Sequence, residues 1–251
     1  MSNFSTLRVL AQSLRSPQPI PGDRGFLRTI VSRPIIFDLV STVMQLRDLS
    51  RLKKIEKKPE YVDRHYDHVH EYNAGVTTKK IVTRTRRAER LIPILGFPPR
   101  DLSQERILLI GPRNVHEILQ AWLTGYRWKN IDAIDLYATT PKIQVVNMES
   151  MTFPDFTFDA IFASATLSYA KDVQQCVREY MRVLKIGGRA AFTHTHILVD
   201  TEFHGNAVTG EDVIAAIGQA GGEIYYHNVL EKKTSLGDPA RIHELGIVRR
   251  A

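Results

Sequence analysis

The sequence has very few of the features that mark secreted or membrane-embedded proteins. It contains 251 residues and a single cysteine, Cys176, so no internal disulfide can form and a reducing cytoplasm is expected. No apolar run approaches the roughly 20 residues that span a bilayer. Residues 1–19 lack the apolar core and small-residue cleavage site of a secretory signal. Cys176 falls on an apolar helical pattern, so we expect it in the core rather than as a nucleophile.

The chain also lacks the closely spaced glycines of a dinucleotide-binding turn. The run ILLIGPRN over residues 107–114 predicts a buried strand that ends in a turn at Gly111. Two further glycines would normally follow and let a pyrophosphate approach the backbone, but those positions hold Arg113 and Val115. This departure argues against a nicotinamide dinucleotide site.

Positive charge is concentrated in the N-terminal part of the chain. Residues 1–100 contain 19 Lys and Arg against 9 Asp and Glu, whereas residues 101–251 contain 15 against 18. A basic extension favours an anionic partner, which could be a phosphorylated or acidic substrate, a nucleic acid or a membrane surface. The alternative is an ordinary solvated helical face.

The first 100 residues predict a basic, mainly helical extension or lid, and the break GFPPR at 96–100 predicts the boundary with a domain over residues 101–251. Residues 34–58 are expected to be helical, with an apolar stripe formed by Ile36, Leu39, Val40, Val43, Met44 and Leu46. Histidines and tyrosines at 59–75 are interpreted as structural or substrate-lining. No cysteine or HExxH pattern accompanies them, so no metal is expected.

From residue 106 onward, predicted strands alternate with predicted helices. The strands are expected at 107–110, 131–136, 143–147, 158–165, 189–195, 223–230 and 243–250, and the helices start near 115, 173 and 209. This alternation predicts an α/β fold, a doubly wound, mostly parallel seven-stranded Rossmann-like sheet with an N-terminal helical extension. The last two strands are expected to form an antiparallel pair at the edge. Gly187 and Gly188 are expected to stop the helix before the fifth strand.

The most specific stretch is FPDFTFDAIFASATLSYAKDVQQCVREYMRVLKIGGRAAF, over residues 153–192. Its acidic loop, strand, helix and Gly-Gly turn resemble the class I S-adenosylmethionine-dependent methyltransferases, in particular the methyltransferase type 11 group. The resemblance extends over residues 106–230, about half of the chain. It implies S-adenosyl-L-methionine as the cofactor and methyl transfer as the activity.

The resemblance also implies which residues contact the cofactor. Asp135, at the tip of the second strand, can accept hydrogen bonds from both ribose hydroxyls. The loop at 147–149 borders the adenine, and the residues after the fourth strand face the methionine portion and the reacting methyl. The implied cofactor-binding residues are Gly111, Arg113, Glu117, Asp135, Leu136, Met148, Glu149, Ser164 and Ala165.

The first motif departs from the family pattern. Leu109 stands where the family carries an acid that helps to bind the amino group of the cofactor. Arg113 can instead meet the methionine carboxylate. Glu117 can replace the missing acid, or form a capping box with Asn114 at the start of a helix whose free N–H groups lie near the cofactor.

Tyr169 and His194 are the predicted catalytic residues, with His196 and His204 as further candidates for a general base. Three functions remain open on the sequence alone. The first is a methyltransferase acting on an O or N atom of a small or anionic metabolite. The second is a degenerate methyltransferase fold that serves as a binding or partner protein, and the third is an RNA methyltransferase that uses basic residues at 76–92.

Overall fold

The computed structural model of the chain describes residues 25–51, 86–198, 208–233, 237 and 239–251. The α-helices are α1 (Phe26–Val31), α2 (Pro34–Arg51), α3 (Arg86–Leu91), α4 (Val115–Thr124), α5 (Val173–Val183) and α6 (Gly210–Gln219). The strands are β1 (Ile107–Ile110), β2 (Ile131–Asp135), β3 (Ile143–Val145), β4 (Phe158–Ala163), β5 (Leu184–Ile197), β6 (Gly222–Lys233) and β7 (Pro239–Arg249). Short 3-10 helices cover Ile92–Gly96, Trp128–Asn130 and Leu167–Tyr169.

The seven strands form one sheet in the order β3-β2-β1-β4-β5-β7-β6. The five strands from β3 to β5 in this order run parallel, and β7 is antiparallel to both β5 and β6. The predicted seven-stranded α/β fold is therefore confirmed, as is the antiparallel pair at one edge. The sheet is mixed rather than purely parallel.

The hydrophobic core lies on both faces of the sheet, as expected for parallel strands covered by helices. Alternate residues of β1 point to opposite faces. Leu108 belongs to a cluster with α5 and α6, whereas Leu109 belongs to a cluster with α3 and α4. Cys176 of α5 is buried in the first cluster, as predicted. The second cluster includes Ala88 and Leu95, so the segment just before the predicted boundary at residue 100 already packs against the sheet.

Helix α2 buries a different side from the one that its apolar stripe predicted. Its fully buried residues are Phe37, Ser41, Gln45 and Asp48, which share one side of the helix. Leu39, Val43 and Leu46 of the predicted stripe are 62%, 57% and 47% exposed, so that prediction is wrong for them. Tertiary contacts explain the difference. The ring of Phe37 packs edge-on against His116 of α4, which draws the polar side of α2 onto the start of α4.

The glycine pair also differs from its prediction. Helix α5 ends at Val183, and β5 begins immediately at Leu184, so Gly187 and Gly188 lie inside the strand. The pairing of β4 with β5 shifts register at this point, which is the signature of a bulge. Gly187 has a φ of 72°, and a side chain on Gly188 would lie 2.7 Å from the Lys185 carbonyl oxygen. The glycines therefore allow a bulge rather than a helix stop.

Arg182, near the end of α5, holds the acidic loop between β3 and β4. Its guanidinium donates to both carboxylate oxygens of Glu179, at 2.6 and 2.9 Å, and to Asp155 at 2.7 Å. It also donates to the backbone carbonyls of Met151 and Phe153. Because one planar group bonds five acceptors, the loop has a fixed position relative to α5.

We expect Arg182→Lys to lower the free energy of unfolding by about 2 kcal/mol, since an ammonium cannot reproduce this planar set of bonds. Urea denaturation of the full chain measures the change. Asp155→Asn should cost much less, because the Asp155 side chain is 58% exposed and its ion pair is screened by water. Equal losses for the two variants would contradict a central role for the guanidinium.

Candidate cofactor site

The turn after β1 brings the ends of three strands together at Gly111. The Gly111 N–H donates to the carbonyl of Ile134 at the end of β2, at 2.8 Å. Gly111 has a φ of 66°, and a Cβ there would lie 2.0 Å from Cγ2 of Thr166, beyond the end of β4. Only glycine fits, as predicted, because both the backbone conformation and the available space exclude a side chain.

The first backbone N–H groups of α4 are not free, although the sequence predicted that they would be. The Asn114 side chain caps the helix by accepting from the His116 N–H at 2.9 Å. The Val115 N–H donates to Oε1 of Gln45 on α2 at 3.2 Å. The prediction that these N–H groups face the cofactor is therefore wrong for Val115 and His116, whose N–H groups have protein partners.

Asp135, Glu117 and Arg113 form a charged group near the ends of β1 and β2. Burial raises the pKa of Asp135 to about 7. The Leu136 N–H, which donates to Asp135 Oδ1 at 2.7 Å, opposes this rise, and the negative charge of Glu117 adds to it. Arg113 lowers the pKa of Asp135, and Glu117 is buried. The structure thus brings three of the predicted cofactor residues together.

The loop after β3 places Met148 and Glu149 against α5. The Met148 sulfur accepts from the Tyr180 hydroxyl at 3.3 Å. Glu149 Oε1 accepts from the backbone N–H groups of Lys171 and Asp172, at 2.5 and 3.2 Å. The Asn147 side-chain oxygen accepts from the Glu149 N–H at 2.9 Å. Both side chains therefore also shape the loop.

Ser164 and Ala165 follow β4 at the same edge of the sheet. Both are partly exposed, and Ala165 has a φ of 57°. Its N–H donates to Oγ1 of Thr193 on β5 at 2.7 Å, which fixes this unusual backbone conformation. These two residues immediately precede Thr166, the residue that packs against Gly111.

Arg87 on α3 is a half-buried cation on the side of Tyr169. Burial lowers the pKa of Arg87, while interactions with Tyr169, Glu244 and Glu117 raise it. Glu244 forms its ion pair with the neighbouring Arg90 instead. Among the described residues, no carboxylate lies within ion-pair distance of Arg87. Sequence reasoning grouped Arg87 with a basic segment but did not single it out.

His194 lies inside β5, as the predicted strand at 189–195 implies. The strand pairs with β7 from Arg189 to Ile197, and His194 is opposite His243. The His194 side chain is buried, with Nε2 2.8 Å from the carbonyl oxygen of Val208. A carbonyl only accepts, so Nε2 carries the proton and Nδ1 is a buried acceptor without a partner in the described structure. Burial lowers the pKa of His194.

Gln45 of α2 bonds the start of α4, Asp48 is buried on the same side of α2, and sequence reasoning missed both. The sequence does contain a signal for them, because residues 41, 45 and 48 form a polar stripe on one side of a predicted helix. The apolar stripe on the same helix instead led to the prediction that a different side is buried. His65, His68, His70, His204 and the basic residues 76–85 lie outside the described residues.

No group of three or more His, Cys, Asp and Glu side chains in the described ranges is arranged to hold a metal ion. Among the same residues, no helix combines the length and hydropathy needed to cross a bilayer.

The raised pKa of Asp135 predicts a pH-dependent stability difference for Asp135→Asn. At low pH the carboxyl is neutral in both folded and unfolded states and costs nothing. As the pH rises from about 4 through 7, the unfolded chain ionises first and the wild type loses stability. The asparagine variant keeps the acceptor for Leu136 without a charge. Its advantage should grow between pH 5 and 8, to about 2–4 kcal/mol. Thermal unfolding at both pH values measures this, and a constant difference would contradict it.

Comparison with known proteins adds a family match inside this domain. Residues 124–192 match a family described as a methyltransferase domain. The matched segment includes Asp135, the loop with Met148 and Glu149, and the residues after β4. No curated protein sequence matches the chain.

Several solved structures share the fold at low sequence identity. Phosphoethanolamine N-methyltransferase 2 of Haemonchus contortus, with phosphomonomethylethanolamine and S-adenosylhomocysteine, has a TM-score of 0.58 and 13% identity, covering 77% of this chain and 62% of that one. A geranyl diphosphate methyltransferase with GPP and sinefungin has a TM-score of 0.53 and 14% identity over 71% and 82% of the two chains. The cyclase SpnF has a TM-score of 0.52 and 16% identity over 65% and 81%. Part of the chain therefore matches the methyltransferase domain family, and the chain shares the fold of these structures.

Proposed function

We propose that the chain catalyses methyl transfer from S-adenosylmethionine to an O or N atom of a small anionic molecule. The observation that carries this proposal is the arrangement at the strand ends. Gly111 ends β1 in a turn of positive φ that packs against Thr166, and Asp135 lies at the tip of the neighbouring strand. These features suit an adenosine-containing ligand, whose ribose offers two hydroxyl donors to one carboxylate.

Different residues around this edge are assigned to different parts of the cofactor. Asp135 and Leu136 lie at the ribose, and Met148 and Glu149 at the adenine. Glu149 Oε1 is occupied by two backbone N–H groups, while Oε2 accepts no hydrogen bond from the described residues and is available to the adenine amino group. Ser164 and Ala165 border the sulfur. When bound, the cofactor supplies a methyl group activated by a positively charged sulfur.

Arg113 and Glu117 extend this arrangement towards the methionine end of the cofactor. We assign the Arg113 guanidinium to the carboxylate of the cofactor and the buried Glu117 to its ammonium group. Both lie beside Asp135, as their effects on its pKa indicate.

Arg87 supports an anionic acceptor. Among the described residues no carboxylate lies within ion-pair distance of this half-buried guanidinium, so an anionic group on the substrate would stabilise it. Tyr169 lies close enough to interact with this guanidinium. Two of the similar structures are of enzymes whose acceptors carry phosphate groups, phosphomonomethylethanolamine and geranyl diphosphate.

Cofactor binding and the acceptor are tested separately. Calorimetry should show that the full chain binds S-adenosylhomocysteine, with affinity about tenfold or more lower in Asp135→Ala, since a charged hydrogen-bond acceptor is lost. No binding by the wild type at millimolar ligand would contradict the proposal. Unchanged affinity in Asp135→Ala would contradict the ribose assignment.

Methyl transfer from labelled S-adenosylmethionine to matched pairs of phosphorylated and unphosphorylated amines and alcohols tests the anionic acceptor. We expect turnover of phosphorylated members, and a KM about 10- to 100-fold higher in Arg87→Gln, because a charge-assisted hydrogen bond to the acceptor is lost. Arg127→Gln, at an exposed position, is the matched control. Preference for the unphosphorylated members, or equal effects of both substitutions, would argue against the role of Arg87.

His194 is our proposed general base, with Tyr169 as the polar group beside the acceptor. His194→Gln keeps a donor for the Val208 carbonyl but removes the basic Nδ1. It should lower kcat about 100-fold or more and leave S-adenosylhomocysteine affinity unchanged. Burial lowers the pKa of His194, so the base is already deprotonated at the ordinary pKa of histidine. The wild-type rate should therefore rise with pH only below that ordinary pKa and be constant above it. A kcat within threefold of wild type would show that His194 is structural.

A second candidate is a binding protein that keeps the fold without catalysing methyl transfer. One observation favours it: Leu109 is fully buried where the family carries an acid, so part of the usual cofactor chemistry is missing from β1. The cyclase SpnF has the same fold. Binding of S-adenosylhomocysteine without turnover of any acceptor in the panel would support this candidate.

A further inference from the structure

Gln45 is a buried amide that is only half satisfied. It is 2% exposed, and its Oε1 accepts from the Val115 N–H at 3.2 Å. Because a backbone N–H can only donate, the oxygen must face Val115, and the amide nitrogen points away. Nε2 is buried and has no hydrogen-bond partner in the part of the chain that the structure describes.

Such a group is costly to keep. A buried amide donor without an acceptor costs about 1–3 kcal/mol, and most buried polar groups in proteins are bonded. A bound ligand that accepts a hydrogen bond from Nε2 would remove this cost.

The position of Gln45 indicates which ligand. Val115 is the first residue of α4 and lies four residues after Gly111, so the amide sits over the turn that follows β1. In the proposed function this turn meets the methionine end of the cofactor. The acid that would normally serve that end is absent from the chain, since residue 109 is a buried leucine.

Asp48 supplies a carboxylate on the same side of α2, three residues after Gln45. It is 2% exposed, and its Oδ1 is bonded by Arg47, whose side chain is 51% exposed. Ser41, one turn earlier, is also buried, and its hydroxyl donates to the Asp38 carbonyl. The side of α2 that faces α4 therefore offers one free donor and one carboxylate next to each other.

We propose that Gln45 and Asp48 bind the amino-acid end of S-adenosylmethionine, with Gln45 Nε2 donating to its carboxylate and Asp48 accepting from its ammonium group. This inference rests on the proposed function. Helix α2 lies outside the matched residues 124–192, so the N-terminal extension completes a site that the sheet alone leaves incomplete. It replaces the acid lost at Leu109 with one from a different element.

The test compares two ligands that differ only at this end. S-adenosylhomocysteine carries the amino-acid group, whereas 5′-methylthioadenosine keeps the adenosine and thioether and lacks that group. Calorimetry on the full chain measures both affinities. Gln45→Glu keeps the acceptor for Val115 but replaces the donor with a negative oxygen, and Asp48→Asn removes the charge at constant shape.

We expect each variant to bind S-adenosylhomocysteine about tenfold or more weakly, and 5′-methylthioadenosine within about twofold of wild type. Gln104→Glu makes the same chemical change at an exposed position and should alter neither affinity. Retained binding of 5′-methylthioadenosine also shows that the variants are folded.

Three other outcomes are distinguishable. If the wild type binds S-adenosylhomocysteine and both variants match it, the inference is wrong and the proposed function stands. If the variants lose both ligands equally, α2 only supports the structure of the site, and the inference is again wrong. If the wild type binds neither ligand, the proposed function fails and the inference fails with it.

Discussion

The absence of a side chain at residue 111 is the constraint on which the site depends. The chain must leave β1, reverse with a positive φ and pass under Thr166 in a space that a methyl group would fill. The same residue bonds the end of β2 through the Ile134 carbonyl. One turn therefore fixes the positions of three strand ends relative to one another. Every candidate cofactor residue lies at one of these strand ends or in the element that follows it.

Polar groups at the start of α4 show how the rest of the site adapts to this turn. In many nucleotide-binding folds the first N–H groups of the helix are left to the ligand. Here Asn114 and Gln45 occupy two of them. The helix is thereby tied to α2, and the chemistry available to a ligand shifts from backbone N–H groups to side chains, namely Arg113, Glu117 and the polar side of α2.

Fold alone does not decide the activity of such a chain. Structures that align over 65–77% of it include two methyltransferases and a cyclase, at 13–16% identity. At this distance the pattern of buried strands is shared while individual residues are not. What a member of the fold does is then set by the side chains at the strand ends and by the elements that cover them. In the proposed function, the half-buried Arg87 and the imidazole of His194 are such side chains.

Much of the fold could be read from the sequence because it depends on local patterns. Apolar strand runs, helical stripes such as that of Val173 to Val183, and caps such as Thr209 are recorded within a few residues of where they act. Gly111 and Asp135 could be placed at strand ends for the same reason. The prediction from the glycine pair at 187–188 was wrong. Both a bulge and the end of a helix use glycine because it adopts backbone conformations that other residues avoid, so the sequence does not distinguish them.

The sequence by itself determined the sheet, its order of elements and the residues at the tips of its strands, because the period of side-chain burial is local. Only the tertiary structure decided which side of α2 is buried, and that Arg87 is half-buried with no carboxylate within ion-pair distance among the described residues. Each of these depends on what a residue meets across the fold. For α2 the neighbour is the polar start of another helix, so burial selected Gln45 and Asp48 over Leu39 and Val43.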